Sequence, residues 1–200
     1  PDLSALVQAV VNRSGWAEGN AISFILTGTG ERVAEAYDGD AGSAPVLVIE
    51  YTELVTQTFT LQSSSDDVEV DVANASIYYG SSDLELTTDG SSIQLIALRY
   101  AGVSIPAGSI VQNAYVAFTV DETNTGSDVD VLMAFEDTGN AAVITDATNP
   151  INRNYNDPII WDNLPDWDEV DASAAAQQSP NLAAQLQEVI SQEGWSTGNA

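Results

Sequence analysis

Apolar residues near both ends of the chain recur every three or four positions, the spacing that places side chains along one face of a helix. Near the start these residues are Leu3, Leu6, Val7, Val10 and Val11. We therefore predict a helix over Pro1–Arg13. The same spacing returns near the end, where Ser179 is the predicted N-cap and Pro180 the first helical residue.

The segments that follow the first helix carry the signals of buried strands. Ala21–Thr27 is an apolar run that ends at Gly28. Pro45–Tyr51 is rich in β-branched residues and has apolar side chains on both faces. Because such strands need cover on both sides, we predict that these two segments lie inside a sheet.

Alternation of apolar and polar residues appears farther along and predicts strands with one buried face. Valines alternate with acidic residues over Asp67–Val72, which predicts a strand with an acidic outer face. Ile93–Tyr100 and Ile110–Val120 are further predicted strands, and alternation continues over Val129–Phe135. Short strands with turn signals about every ten residues favour an antiparallel β-sandwich.

Two later segments show neither the spacing of a helix nor the alternation of a strand. Thr145–Asp171 is rich in Asn, Asp and Pro and is predicted to be irregular, with Trp161 and Trp167 anchoring it to the edge of the sandwich. Ala172–Ser179 is predicted to be a polar hinge before the last helix. The chain therefore combines many strands with short amphipathic helices.

A 21-residue motif occurs twice, at Pro1–Ala21 and at Pro180–Ala200, and the two copies are 179 residues apart with ten identical positions. We call these segments the first and second copies of the repeated motif. Both contain Gly-Trp and end in Gly-Asn-Ala. A period this long indicates tandem domains, because solenoid repeats span only about 20–50 residues. We expect the chain to begin late in one module and to end late in the next.

Composition excludes several classes of function. The chain has 30 acidic residues, four arginines and no lysine, for a net charge of −26. Such a surface repels nucleic acid and anionic membranes, and no apolar run is long enough for membrane insertion. The absence of His and Cys excludes disulfides, Ser-His-Asp and Cys-His catalysis, and histidine-ligated metals. We expect a protein that is not an enzyme.

Acidic residues gather at the starts of two predicted strands and form the first candidate calcium site. They are Asp66, Asp67, Glu69, Asp83 and Glu85, to which Glu136 and Asp137 could add ligands. Calcium prefers six to eight oxygen ligands and tolerates irregular loops. Asp38 and Asp40 form a second candidate. The alternatives are a solvated acidic face for the first cluster and a plain turn for the second.

Several stretches resemble bacterial β-sandwich modules of the DNRLRE type, which are close in fold to jelly-roll carbohydrate-binding modules. They are Ser64–Val70, Ser81–Leu86, Ile96–Glu122, Asn152–Trp167, Ile22–Tyr51 and Gly194–Ala200. The literal name motif of the family is absent, and Ala97–Tyr100 stand in its place. The resemblance implies a mainly β fold, an antiparallel jelly-roll β-sandwich with one short amphipathic helix per repeat.

The resemblance also implies a domain organisation. Residues 1–52 would be the C-terminal part of one module, namely a helix and its closing strands. Residues 57–200 would form most of the next module, with strands like Ile22–Tyr51 expected beyond Ala200. Strands from a following repeat or a neighbouring subunit would then complete the second module.

We predict a structural repeat unit of a long extracellular or cell-surface protein, such as a filament, stalk, adhesin or matrix component, stabilised by Ca²⁺. Its partners would be neighbouring copies or repeats of the same protein. The alternative is a carbohydrate-binding module of a secreted multidomain protein. Glycans would then stack on aromatic side chains, for which Tyr78, Tyr79, Tyr155, Trp161 and Trp167 are available.

Overall fold

The computed structural model describes residues 1–126 and 128–200. The chain divides into two compact units, Pro1–Thr56 and Gln57–Ala200. The strands form a four-stranded and a two-stranded antiparallel sheet, and the two α-helices are short. The predicted mainly β class is confirmed at this level.

The first unit contains one helix and no strand, although all of its residues are described. Helix α1 spans Ser4–Val11, shorter than predicted, and buries none of its residues. The prediction of buried strands at Ala21–Thr27 and Pro45–Tyr51 is wrong for this structure. A strand forms only where a second strand satisfies its backbone groups, and neither segment forms ladder bonds in this unit.

The second unit contains a four-stranded antiparallel sheet in the order β2-β1-β4-β3. The strands are β1 at Asp67–Asp71, β2 at Ile77–Tyr78, β3 at Thr88–Asp89 and β4 at Ser92–Leu98. Val68 and Val70 are fully buried and pack with Ile144, as the alternation predicts. Asp67 pairs with Leu98 and Asp71 with Gln94, which fixes the β1–β4 register.

A second sheet pairs β5, Val131–Met133, with β6, Ile159–Trp161. Val131 and Trp161 face each other across this pair, and both are buried. Trp161 and Trp167 also lie about 6 Å from Phe118, with ring centroids 6.0 and 6.1 Å away. Both tryptophans therefore contact Phe118, and Trp161 does so from a strand, β6, inside the segment that was predicted to be irregular.

The prediction that Ala172–Ser179 is a hinge is wrong. The segment runs antiparallel to Ala114–Val120 and exchanges backbone hydrogen bonds with it: the Phe118 nitrogen donates to the Gln177 oxygen at 3.0 Å, and the Ser179 nitrogen to the Val116 oxygen at 2.9 Å. The pairing of these two segments is not a regular strand pair, because Ala117 and Gln178 form only an isolated bridge and a 3₁₀ turn occupies Ala175–Gln177.

The last helix, α2, spans Ala183–Ile190 and begins later than the predicted cap. Ser179 does not cap it, because its hydroxyl accepts a hydrogen bond from the Val116 nitrogen at 3.0 Å. Leu182 is the N-cap residue, and the Asn181 Oδ1 just before it accepts from the Ala183 nitrogen at 2.9 Å. Two further 3₁₀ turns, at Asp146–Thr148 and Pro150–Asn152, lie in the segment predicted to be irregular.

Candidate functional site

The structure brings together two of the predicted metal ligands, Glu69 and Glu85. Glu69 is the central residue of β1 and is only 4% exposed. Its Oε1 accepts a hydrogen bond from the Glu85 backbone nitrogen at 3.0 Å. The hydrogen bond between the two carboxyl groups, together with burial and repulsion from Glu69 and Asp83, raises the pKa of Glu85 from 4.5 to about 7.

These carboxyl groups line a cavity of about 510 Å³ on the polar face of the four-stranded sheet. The other polar and aromatic lining residues include Tyr78, Tyr79, Asp89 and Gln94. Cross-strand partners share a face of the sheet, so the pairing of Gln94 with Asp71 places Gln94 on the same face as Glu69. The valines of β1 occupy the opposite face.

The alternation predicted a half-buried β1 with an acidic outer face, but in the structure this face is not open to solvent. Glu69 and Asp71 are both buried. Asp71 is satisfied locally, because its Oδ1 accepts from the Ala73 nitrogen at 2.8 Å and the Asn74 nitrogen at 3.3 Å. Glu69 instead accepts a hydrogen bond from the Glu85 backbone nitrogen.

Asp66 and Asp67 do not join the cavity. Asp66 is 3% exposed and forms an ion pair with Arg99, with 3.0 Å between Asp66 Oδ1 and the Arg99 guanidinium. Burial alone would raise the pKa of Asp66, but hydrogen bonds from Arg99 and Ser63 outweigh burial and lower it. Asp67 begins β1 opposite Leu98.

Glu136 and Asp137 lie in a separate cluster. Glu136 Oε2 forms an ion pair with Arg153 at 2.8 Å, and Arg153 also donates to the Thr148 oxygen. Asp137 Oδ1 accepts from the Gln192 side-chain amide at 2.7 Å. Both carboxylates thus serve structural contacts, and Asp137 binds the second copy of the repeated motif.

Asp38 and Asp40 occupy a turn of the first unit. Asp40 accepts hydrogen bonds from the Ser43 hydroxyl at 2.7 Å and the Gly42 nitrogen at 3.0 Å, and these bonds lower its pKa. This bonding is that of an ordinary Asx turn. It accounts for Asp40 without a ligand.

Asp83 lies in another group. Its carboxylate and those of Asp121 and Glu122 place one oxygen each within 4.8 Å of one another, and Asp121 and Glu122 are exposed. Sequence analysis did not include Asp121 or Glu122 among the ligands. It also missed Asp89 and Gln94. The usable signal for Gln94 was a polar residue in the middle of the apolar strand SIQLIAL.

The second copy of the repeated motif is built into the second unit. Trp195 is 7% exposed and packs with Val189 and Ile190, while its Nε1 donates to the Ile105 oxygen at 3.1 Å. The Val103 nitrogen donates to the Asn199 oxygen at 2.9 Å, and the Ala141 nitrogen donates to the Ala200 oxygen. The motif therefore closes one side of this unit.

The exposed aromatic surface is smaller than the sequence suggested. Trp161 is 6% exposed. Tyr155 is partly accessible, and its hydroxyl donates to the Pro150 oxygen at 2.9 Å. Tyr78, which is 49% exposed at the rim of the cavity, is the most open of the proposed platform residues.

Comparison with known proteins gave no match to any protein-family model, curated protein or solved structure. Within residues 1–126 and 128–200, no helix has the length and apolar character needed to cross a bilayer.

Proposed function

We propose that the chain is a structural repeat unit of a long extracellular tandem-repeat protein, in which segments like Ile22–Tyr51 complete neighbouring jelly-roll β-sandwiches. One observation carries the proposal. The apolar segments that follow the first copy of the repeated motif are exposed: Ile25 is 88% exposed, Leu26 91%, Val46 80% and Val48 79%. Apolar strand-like segments this open mark surfaces that another polypeptide covers.

The two copies of the motif support a head-to-tail arrangement. In the second copy the motif closes a unit through Trp195 and Asn199. In the first copy the same residues lead directly into the exposed apolar segments. A unit closed by the second copy would therefore be followed, in an array, by segments of this apolar kind. Such contacts between unlike surfaces generate filaments when they do not close into rings.

An extended chain tests the proposal directly. A copy of Ile22–Tyr51 appended after Ala200 should raise the melting temperature of the second unit, because an added strand buries apolar surface and pairs backbone groups. The matched control carries Glu at the positions of Ile25 and Val48 in the appended segment, and it should give no gain. An equal rise with both segments would contradict the proposal.

Self-association of the chain as it stands gives a second test. We expect oligomers that grow with concentration in analytical ultracentrifugation. Ile25→Glu combined with Val48→Glu should abolish them, whereas Leu132→Glu, at a 69% exposed residue of the second unit, should not. A chain that stays monomeric, or that responds only to Leu132→Glu, would contradict the proposal.

Carbohydrate binding is the second candidate, and Tyr78 beside the carboxylate-lined cavity favours it. Sugar-binding sites combine an exposed aromatic face with a few polar groups. A glycan array on the chain and on Tyr78→Ala separates the two candidates. Saccharide-specific binding that Tyr78→Ala removes would favour this function over the structural one.

A further inference from the structure

The side chain of Gln94 presents an unexplained polar atom. Gln94 is 6% exposed, and within the described residues its buried Oε1 has no hydrogen-bond partner. Leaving a buried acceptor unsatisfied costs about 1–3 kcal/mol, so native proteins rarely keep one without a ligand or water. Because Gln94 lines the cavity, this oxygen indicates that a positively charged or hydrogen-donating group binds there.

The neighbouring charges specify which kind of group. Glu69 and Glu85 line the same cavity, where Glu69 Oε1 accepts from the Glu85 backbone nitrogen at 3.0 Å, and Asp89 adds a third carboxyl group to the lining. No Arg is among the described lining residues. Arg99 and Arg153 are paired with Asp66 and Glu136 elsewhere. A buried carboxylate requires a counter-charge, and none of the described residues that line this cavity supplies one.

We propose that a divalent cation of the calcium type binds in this cavity, with Glu69, Glu85 and the Gln94 Oε1 as ligands and Asp89 at the rim. The ligands are all oxygens, two from carboxylates and one from an amide, which is the set that calcium prefers, whereas zinc and copper sites favour imidazole or sulfur ligands. The ion would connect Glu69 of β1 and Gln94 of β4 with Glu85, which lies between β2 and β3 in the chain.

This inference is independent of the proposed assembly, because every ligand belongs to Gln57–Ala200. It also differs from the group formed by Asp83, Asp121 and Glu122. That group is a cluster of acidic residues with two exposed members, and none of the buried unsatisfied atoms of the described residues belongs to it. Nothing in the group therefore points to a bound ion. It provides a matched control of similar charge.

Calcium titration of the chelator-treated full chain tests the site, by calorimetry and by thermal melting at neutral pH and an ionic strength of about 0.15 M. We expect saturable binding and a rise in melting temperature. Glu85→Gln and Gln94→Leu should each weaken binding by about tenfold or more. Asp121→Asn combined with Glu122→Gln should leave it unchanged. The absence of calcium binding would overturn the proposal, as would loss of binding in the control variant alone.

Two readouts separate ligation from a merely structural role. Glu85→Gln should raise the melting temperature of the metal-free chain, because it removes repulsion from Glu69, while it abolishes the calcium-dependent rise. Gln94→Glu should do the reverse: it adds a charged ligand, so it should tighten calcium binding and destabilise the metal-free chain. If both variants change stability equally with and without calcium, the proposal is wrong.

Terbium supplies a spectroscopic readout of position. Tb³⁺ has a coordination preference similar to that of Ca²⁺, and tyrosines next to the ion sensitise its emission. Tyr78 and Tyr79 line the cavity, so Tb³⁺ should give sensitised emission that Ca²⁺ displaces. Combined Tyr78→Phe and Tyr79→Phe should remove the emission and keep calcium affinity. Undiminished emission from that variant would place the ion elsewhere and overturn the proposal.

Discussion

The two copies of the repeated motif have similar sequences and very different environments. Each forms an eight-residue helix, Ser4–Val11 in the first copy and Ala183–Ile190 in the second. Helix α1 buries none of its residues, whereas α2 buries Val189 and Ile190. The two copies therefore share a helix and differ in how far it is buried, which depends on the surface that receives it.

That receiving surface belongs to the second unit. Val103, Ile105, Val111 and Phe135 pack against the buried cluster of α2 and Trp195. The loop at Gly139–Ala141 binds the end of the motif through backbone and side-chain hydrogen bonds. We infer that the motif is a docking sequence, so the residues shared by its two copies should affect stability only where this surface is present.

The largest expected difference between the copies concerns their tryptophans. Trp195→Ala should destabilise the second unit by about 3–5 kcal/mol, because it leaves a cavity and frees the Ile105 oxygen. Trp16→Ala, at the equivalent half-buried position, should cost about 1 kcal/mol or less. Urea denaturation followed by far-ultraviolet circular dichroism measures both. Equal losses would show that the first copy is also docked.

The next prediction concerns the ion pair that contacts the loop at Gly139–Ala141. Arg99 pairs with Asp66, and its Nε donates to the Ala141 oxygen at 3.0 Å. Arg99→Met should cost about 3–5 kcal/mol, because it leaves the buried Asp66 carboxylate without a counter-charge. Arg13→Met, at an exposed arginine of the first copy, should change stability by about 0.5 kcal/mol or less.

The pH dependence of that pair has a definite sign. The pKa of Asp66 is lower in the folded chain than its ordinary value of 3.8. Its contribution to stability is therefore fully present above that value and disappears as the pH falls through the lowered pKa. The difference in melting temperature between the wild type and Arg99→Met should narrow in this acid range. If the difference in melting temperature between the wild type and Arg99→Met stayed constant at pH values below the lowered pKa of Asp66, the ion pair would not be the source of this stability.

Two glycines where the motif contacts the receiving surface should differ in how far substitution lowers stability. A Cβ at Gly139 would lie 2.5 Å from both the Gly194 carbonyl carbon and the Trp195 nitrogen, whereas a Cβ at Gly194 has its nearest neighbour at 3.9 Å. Gly139→Ala should therefore cost about 1–3 kcal/mol by separating the two backbones. Gly194→Ala should be tolerated. Thermal melts of the two variants compare the sites, and the reverse order would contradict this packing.

Local patterns predicted the elements whose signal lies within a few residues. The alternation over Val129–Phe135 and the inward valines of β1 follow directly from side-chain geometry. The contacts between distant residues did not follow. The Asp66–Arg99 pair joins residues 33 apart and exists only because β1 and β4 pair in one register. The same register places Gln94 on the face of the sheet that carries Glu69, and the polar position within SIQLIAL does not by itself reveal that neighbour.

The predicted strands after the first motif show the complementary failure. Their apolar composition predicts burial, but the structure leaves them exposed, because burial requires a partner that Pro1–Thr56 does not provide. Composition therefore predicted that Ala21–Thr27 and Pro45–Tyr51 would be buried, and it could not show whether the chain supplies a partner to bury them. Unpaired backbone in these segments is the physical reason for the difference.

The smallest contrast concerns the asparagine of the Gly-Asn-Ala ending. Asn199 Nδ2 donates to the Gly139 oxygen at 2.8 Å and to the Gly194 oxygen at 2.9 Å, while Asn20 Nδ2 donates only to the Gly15 oxygen at 3.2 Å in exposed surroundings. Asn199→Ala should cost about 1–2 kcal/mol and Asn20→Ala only a few tenths.

Aspartate at the same two positions sharpens this contrast. Asn199→Asp should cost more than Asn199→Ala, because a carboxylate in place of the amide would face two carbonyl oxygens and repel both. Asn20→Asp should be nearly neutral, since water screens its single carbonyl neighbour. Urea midpoints of the four variants provide the measurement. If Asn199→Asp were as stable as the wild type, the Nδ2 contacts with Gly139 and Gly194 would not hold the motif in place.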